Sequence, residues 1–327
     1  LMKKNIAILM GGYSSEYNIS VQSGQVVYEV LLKESDLNIY KVYITKDSWY
    51  HEDNNGNKSK INKKNFTFYS DNLLIKIDKV FNTIHGIPGE DGEIQEYLKS
   101  INIDQTSSEK EEAELTFNKN ECKKAVNNFN VDIPNSILIN NNSIIDIEKM
   151  TKKLNLPYFI KPNKGGSSFG ISKVDKKEQI ILAIKEALNQ DNEVLIEEEI
   201  KGREISIGVI DYNNEILALP PTEICSYNSF FDYNAKYKGE SDEITPADIS
   251  LEYKIIAQKI AVKIYKKLKL KGFSRTDFIL KDDKFYFLEV NTNPGLTKES
   301  ILPKQAEAAG IKLSDLFKSV IKWLITQ

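Results

Sequence analysis

The segment "FLEVNTNPGLT", residues 287–297, begins as an apolar strand with Phe287, Leu288 and Val290 and breaks at a Pro-Gly turn. Within it stand a carboxylate, Glu289, and a carboxamide, Asn291. They are two apart, so on a strand both side chains leave the same face. The preceding strand, "SRTDFIL", repeats the device with Arg275 and Asp277. A hairpin turning at "KDDK" can set Asp277 opposite Glu289 and gather Asp, Glu and Asn around one point. Three hard oxygen donors of this kind suit Mg²⁺, which completes its shell with phosphate oxygens and water. An arginine beside them suits a phosphate or a developing oxyanion. The same four residues would serve as well as a solvated strand face carrying an Arg–Asp pair.

The shared face carries a geometric condition. Directly opposed residues of an antiparallel pair lie on one face, and side chains alternate with period two. A plain two-residue "DD" turn would pair Asp277 with Leu288 and send Glu289 to the far side. The hairpin therefore needs a three- or five-residue loop, or a bulge.

Other segments have chemistry of their own. "KPNKGGSSFG", 161–170, places adjacent glycines and serines between two strands, where backbone N–H groups could meet phosphates. It does not have the Walker A spacing, and taken alone it reads better as a flexible hairpin tip. Lys161 ends an apolar strand, where a lysine wants an anionic partner. Glu197 to Glu199 in "LIEEEIKGRE" are either hydrogen-bond acceptors for a nucleoside or a charged strand edge. "GGYSSEYNIS" follows the first strand without the G-x-G-x-x-G fingerprint, which disfavours a nicotinamide cofactor. Glu16 in it lies just ahead of a helix. "HGIPGEDG" holds His85, Glu90 and Asp91 in a glycine-rich turn.

The elements that must position these residues alternate between strand and helix, as in an open α/β domain. Strands are expected at 6–10, 39–44 and 80–84, with a helix capped by Ser20 and running to about Leu32. A polar shift at "SSEKEE", 107–112, suggests a boundary, and 119–128 a short helix. Two strands flank the Gly-Ser loop, a helix covers 176–189, and strands follow at 193–200 and 204–210. Residues 225–247 lack periodicity and form a long loop. The strongest helix is 252–269, with Tyr253, Ile256, Ala257, Ile260, Ala261, Ile264, Tyr265 and Leu268 on one face and Gly272 as a stop. Strands 274–280 and 285–291 and a last helix at 314–325 close the chain.

The chain has 327 residues, so two or three domains are expected at roughly 150 residues each. A hydrophobic content of 41% and a charged content of 28% fit a globular core, and a net charge of −3 gives no basic surface for nucleic acid. Two cysteines and two histidines leave no zinc ribbon, redox pair or histidine cage. No segment has the length of a membrane span, and the apolar run near the start is short for a signal, so a cytoplasmic enzyme is expected.

Taken in order, "GGYSSEYNISVQSG", "HGIPGEDGEIQ", "KPNKGGSSFGISKV", "VLIEEEIKGRE", "FFDYNAKY", "GFSRTDF" and "EVNTNPGLTKESILP" resemble the D-alanine–D-alanine ligases of the ATP-grasp superfamily nearly end to end. The resemblance implies an α/β and α+β, ATP-grasp fold: a substrate-binding α/β domain over 1–106, a central ATP-grasp subdomain over 107–195 and a catalytic domain over 196–327. It implies that ATP phosphorylates one D-alanine and that the amine of a second attacks the acylphosphate, giving D-alanyl-D-alanine for peptidoglycan synthesis. Asp277, Glu289 and Asn291 would hold two Mg²⁺ ions, with Mn²⁺ as an alternative. Lys119, Lys161, Ser167, Ser168 and Lys236 would meet the phosphates, and Glu197, Glu198, Ile200 and Glu204 the adenosine. Glu16 and His85 would bind the first substrate, and Ser300 and Ile301 the second. Arg275 and the Gly295 N–H would form the oxyanion site. Glu16, Ser167 and Tyr237 would form a hydrogen-bonded set across three segments. A homodimer is expected, without nucleic acid or membrane partners. The tyrosine of "AKY" speaks against a D-lactate-joining relative. Gly165 and Asn118 depart from the Glu and Asp common in the family.

Overall fold

The computed structural model describes residues 3–140, 147–166, 168–226 and 241–326. Ser167, Lys236, Tyr237 and most of the expected 225–247 loop lie outside them. The ends of that loop are strands, Thr222–Ser226 and Ser241–Ile244, which pair with each other.

The first sheet has the strand Lys4–Gly11 at its centre, paired in parallel with Leu37–Ile44 on one side and Lys79–Asn82 on the other. Its middle residues, Ile6 to Met10, are all buried, as expected for a parallel strand covered on both faces. The crossover helix is Tyr17–Leu31. It begins four residues earlier than a cap at Ser20 predicts, because the Ser20 N–H already donates to the Glu16 carbonyl at 3.0 Å. The Ser20 hydroxyl instead accepts from Gly11 N at 2.8 Å and donates to Thr83 O at 2.9 Å, fastening two strand ends to the helix.

A four-stranded antiparallel sheet follows, with Tyr158–Pro162 and Glu193–Glu198 at its centre. Its core, Tyr158, Ile160, Val194 and Ile196 against Ile180, Ala183, Ile184 and Ala187, shares no residue with the other clusters. The strand Glu193–Glu198 belongs wholly to this sheet, so we propose a boundary after Glu198 in place of 195. We propose that the start of the unit also moves. Cys122, Val126 and Val131 pack into the C-terminal core with Phe278, Phe287 and Val290, which places the helix Lys119–Asn127 with the third sheet.

That third sheet runs in the order Ser241–Ile244, Thr222–Ser226, Arg203–Tyr212, Phe273–Lys281, Lys284–Asn291. Its last two strands form the expected hairpin. The turn is the two-residue Asp282-Asp283, with φ of 47° and 64° at the two positions, as a type I′ turn requires. Lys281 pairs with Lys284 and Phe278 with Phe287, but then the register shifts: Asp277 pairs with Glu289 and Arg275 with Asn291. Leu288 is the extra residue. The condition read from the sequence is met by the bulge and not by a longer loop.

The first and third sheets are not independent. Ile8, Met10 and Phe81 share a core with Phe273, Leu302 and Phe317. Gly272 marks how close the two bodies come, for a Cβ there would stand 2.0 Å from the Thr106 carbonyl oxygen, and its φ is +64°. Gly56 has a φ of +83° but open space around it. Gly272→Ala should therefore cost roughly 3 kcal/mol, and Gly56→Ala only about 1 kcal/mol of conformational strain. Urea unfolding of the two variants measures the difference, and equal losses would contradict this contact.

Candidate active site

Two cavities meet at the bulged hairpin. The first, about 500 Å³, lies between the second and third sheets and is lined by Lys161, Ser168, Glu197, Glu198, Ile200, Glu204, Asp277 and Glu289, with Phe159, Ile279 and Leu288 as apolar wall. The second, about 930 Å³, lies between the first and third and is lined by Glu16, His85, Arg275, Glu289, Asn291, Gly295, Ser300 and Ile301. A narrow passage holding Lys119, Glu90, Glu289 and Asn291 borders the Gly-rich loop. Every sequence-predicted site residue among the described ones lines one of the three, and Glu289 lines all of them.

Asp277 is the most constrained of the oxygen donors. Ser206, its cross-strand neighbour, donates to Oδ1 at 2.6 Å, and Arg275 forks onto both oxygens at 3.1 and 2.8 Å. Glu289 Oε2 is 3.2 Å from Lys119 Nζ, which also donates to the Gly165 carbonyl at 2.7 Å. Both carboxylates are thus balanced by a fixed cation. Nδ2 of the Asn291 carboxamide is buried without a partner. Among the described residues no three His, Cys, Asp or Glu side chains gather as a metal centre; the expected set is two carboxylates and one carboxamide. Those donors are all hard oxygens, and they fit Mg²⁺.

In the first cavity, Lys161 donates to Glu197 at 2.8 Å. Glu198 borders the same space, but its carboxylate accepts from the Asn135 N–H and side chain at 2.8 and 2.9 Å. The Gly-rich loop is close to Glu16: a Cβ on Gly166 would stand 2.6 and 2.9 Å from the carboxylate oxygens. At Gly165, the departure from the family pattern, a Cβ would touch only Pro162, at 3.9 Å. Asn118 accepts from the Glu121 N–H at 3.1 Å and so caps the helix that presents Lys119.

The second cavity is held by contacts between the first and third sheets. Asn293 donates to the carbonyls of Ile84 and Gly89 at 3.1 and 3.0 Å. Ser23 Oγ accepts from Leu296 N at 3.2 Å and lies 3.2 Å from His85 Nε2. Burial lowers the His85 pKa and so favours the neutral imidazole, whose tautomer decides whether it accepts from the Ser23 hydroxyl or donates to it. The helix Ile301–Ala308 is pinned by Gln305, which accepts from Gly208 N and donates to Ser206 O, both at 2.8 Å. This fixes Ser300 and Ile301 at the cavity rim, and a Cβ on Gly295 would lie 2.7 Å from Ser300 Oγ.

Sequence reasoning left Glu90 as part of a turn. Its carboxylate accepts from Gly86 N at 2.7 Å and from Asn293 N at 3.4 Å. Burial, and then the charge of Glu16, push its pKa up to about 8. The only signal for it was its place in a glycine-rich segment beside His85. Between the ordinary carboxylate range and pH 8 the folded chain binds a proton that the unfolded chain does not, so the stability contributed is full below that range and falls as pH rises through 8. Glu90→Gln should gain stability relative to the parent between pH about 5 and about 9 in the absence of nucleotide. Urea unfolding at both pH values measures this, and a constant difference would contradict it.

The chain matches the family models for the D-ala D-ala ligase N-terminus over residues 5–108 and C-terminus over residues 126–322. It is 47% identical to the D-alanine–D-alanine ligase of Christiangramia forsetii over the full length of both chains, and 47% identical to that of Flavobacterium johnsoniae over 98% of both. Among solved structures it superposes on the VanG D-Ala:D-Ser ligase of Enterococcus faecalis with a TM-score of 0.87 at 32% identity, covering 98% of this chain and 99% of that one. On the Bacillus anthracis D-alanine–D-alanine ligase complexed with ATP the TM-score is 0.78 at 28% identity, covering 99% and 98%. With both halves matched in order and its relatives covered end to end, the chain belongs to the D-alanine–D-alanine ligase family.

Proposed function

We propose that the chain joins two D-alanine molecules into D-alanyl-D-alanine, consuming ATP, as a step of peptidoglycan precursor synthesis. The observation that carries this reading is the meeting of the two cavities at Glu289. A nucleotide in the first and an amino acid in the second would bring the γ-phosphate and a carboxylate to the same wall. The carboxylate oxygen of the first D-alanine attacks the γ-phosphorus and ADP leaves. The amine of the second attacks the acyl carbon, and the tetrahedral intermediate expels phosphate.

The residues divide these roles by position. Glu16 accepts hydrogen bonds from the first ammonium, and neutral His85 and Ser23 keep the 292–297 turn in place. Arg275, its fork fixed by Asp277, and the Gly295 N–H face the developing oxyanion. Ser300, with Ile301 beside it, receives the second carboxylate. Lys119, Lys161 and Ser168 neutralise the phosphates, and Glu197, Glu198, Ile200 and Glu204 border the adenosine. Lys236, Ser167 and Tyr237 belong to the proposal by their place in the family pattern. Asp277, Glu289 and Asn291 would hold two Mg²⁺ ions, or Mn²⁺. The metal would supply charge neutralisation on the triphosphate. Water must be kept from the acylphosphate. A homodimer and a cytoplasmic location belong to the same proposal; among the described residues no helix is long and apolar enough to cross a membrane.

The likeness to a D-Ala:D-Ser ligase over nearly the whole chain gives a second reading, with D-serine as acceptor. Phosphate release and product analysis separate them. D-alanine alone should support both phosphate release and dipeptide formation, and L-alanine neither. Release that required D-serine or D-lactate would overturn the first reading. Glu289→Gln should lower Mg²⁺-dependent turnover by at least about 100-fold, since a carboxylate beside transferring phosphate is worth several kcal/mol. Turnover near the parent rate would remove Glu289 from the metal set.

A further inference from the structure

Glu197 is paired twice. Lys161, one-tenth exposed on the cavity wall, donates to one of its oxygens at 2.8 Å. Lys123, on the helix Lys119–Asn127, donates to the other and is only 2% exposed. Lys123 lines none of the cavities described above and has no assigned role in the reaction. A fully buried ammonium must be offset by a partner, and for Lys123 that partner is Glu197.

The cluster holds two cations and one anion, so one cation is in excess. The excess is useful only if one lysine is released. Lys161 stands at the cavity and can turn to a triphosphate. If it did so from a simple Lys–Glu pair, Glu197 would remain as a lone buried carboxylate, at high cost. With Lys123 behind it, Glu197 keeps a counter-ion throughout. Burial acts to raise the Glu197 pKa, but Lys123 and Lys161 together outweigh it and hold the carboxyl below its ordinary range. An ionised Glu197 can only accept hydrogen bonds. It therefore suits a purine with an amino group at position 6 and disfavours one with an oxo group there.

We propose that Lys123 is a positioning residue for nucleotide selection: it is the standing counter-ion of Glu197, which frees Lys161 for the phosphates and keeps Glu197 a pure acceptor for adenine. The inference rests on the reading of Lys161 and Glu197 as nucleotide contacts.

The test compares Lys123→Met, Lys161→Ala, Glu197→Gln and the double variant Lys123→Met/Glu197→Gln, each titrated with ATP and with ITP and assayed for the KM of D-alanine. Lys123→Met should weaken ATP binding by at least ~30-fold, reduce the preference for ATP over ITP, and leave the KM for D-alanine within about twofold. The double variant should bind ATP no more weakly than Glu197→Gln alone, because Lys123 acts only through Glu197. That comparison decides the matter even if Lys123→Met does not fold. Parent-like ATP affinity and selectivity in Lys123→Met, or additive losses in the double variant, would overturn the inference. If Lys161→Ala and Glu197→Gln bind ATP as the parent does, the underlying assignment of the nucleotide site fails instead.

Discussion

Leu288 decides which face of the third sheet Glu289 occupies. The type I′ turn at Asp282-Asp283 sets the hairpin in a register that would pair Asp277 with Leu288 and turn Glu289 toward Phe278 and Phe287 in the core. One inserted residue reverses this. Beyond the bulge Glu289 and Asn291 stand opposite Asp277 and Arg275, and Val290 returns to the core. The strand can accommodate the insertion because it is the edge of its sheet, with partners on one side for most of its length. The meeting of Glu289 and Asn291 with Asp277 and Arg275, and with it the proposed metal and oxyanion site, follows from that single irregularity.

Charge balance then limits what the site can do. Arg275 and Lys119 lie against the two carboxylates, and Lys161 and Lys123 against Glu197. Each of these three acids thus has a cation, and Glu197 has two. In the second cavity, burial and the charge of Glu16 make Glu90 costly to ionise, and a substrate ammonium there would relieve it. The proposed reaction needs a cation that can turn to a polyanion in one cavity, for which Lys161 stands at the wall, and carboxylates that welcome an ammonium group in the other.

Much of this was legible because it is local. Two residues apart on a strand share a face, so the Arg275–Asp277 and Glu289–Asn291 pairs could be read together, and parity alone demanded a bulge or an odd loop. The helix Leu251–Lys267 followed from its periodicity. What could not be read depends on distant packing. Ser20 has the chemistry of a helix cap, but the strand ends at Gly11 and Thr83 claim its hydroxyl. Lys123 looks like a surface lysine until a carboxylate 74 positions away is brought to it. The helix Lys119–Asn127 adjoins the central unit in sequence, yet Cys122 and Val126 find their apolar partners in the third sheet. Glu90 owes part of its high pKa to Glu16, which no spacing rule connects to it.

The central claim is that a substrate carboxylate and the γ-phosphate meet at the wall formed by Glu289. It is tested most directly by following one atom. With D-alanine labelled with oxygen-18 in its carboxylate, transfer through an acylphosphate carries one labelled oxygen into inorganic phosphate for each dipeptide formed. Mass spectrometry of the released phosphate should show that single label. Unlabelled phosphate accompanying dipeptide formation would mean that the carboxylate never attacked phosphorus, and would contradict the account.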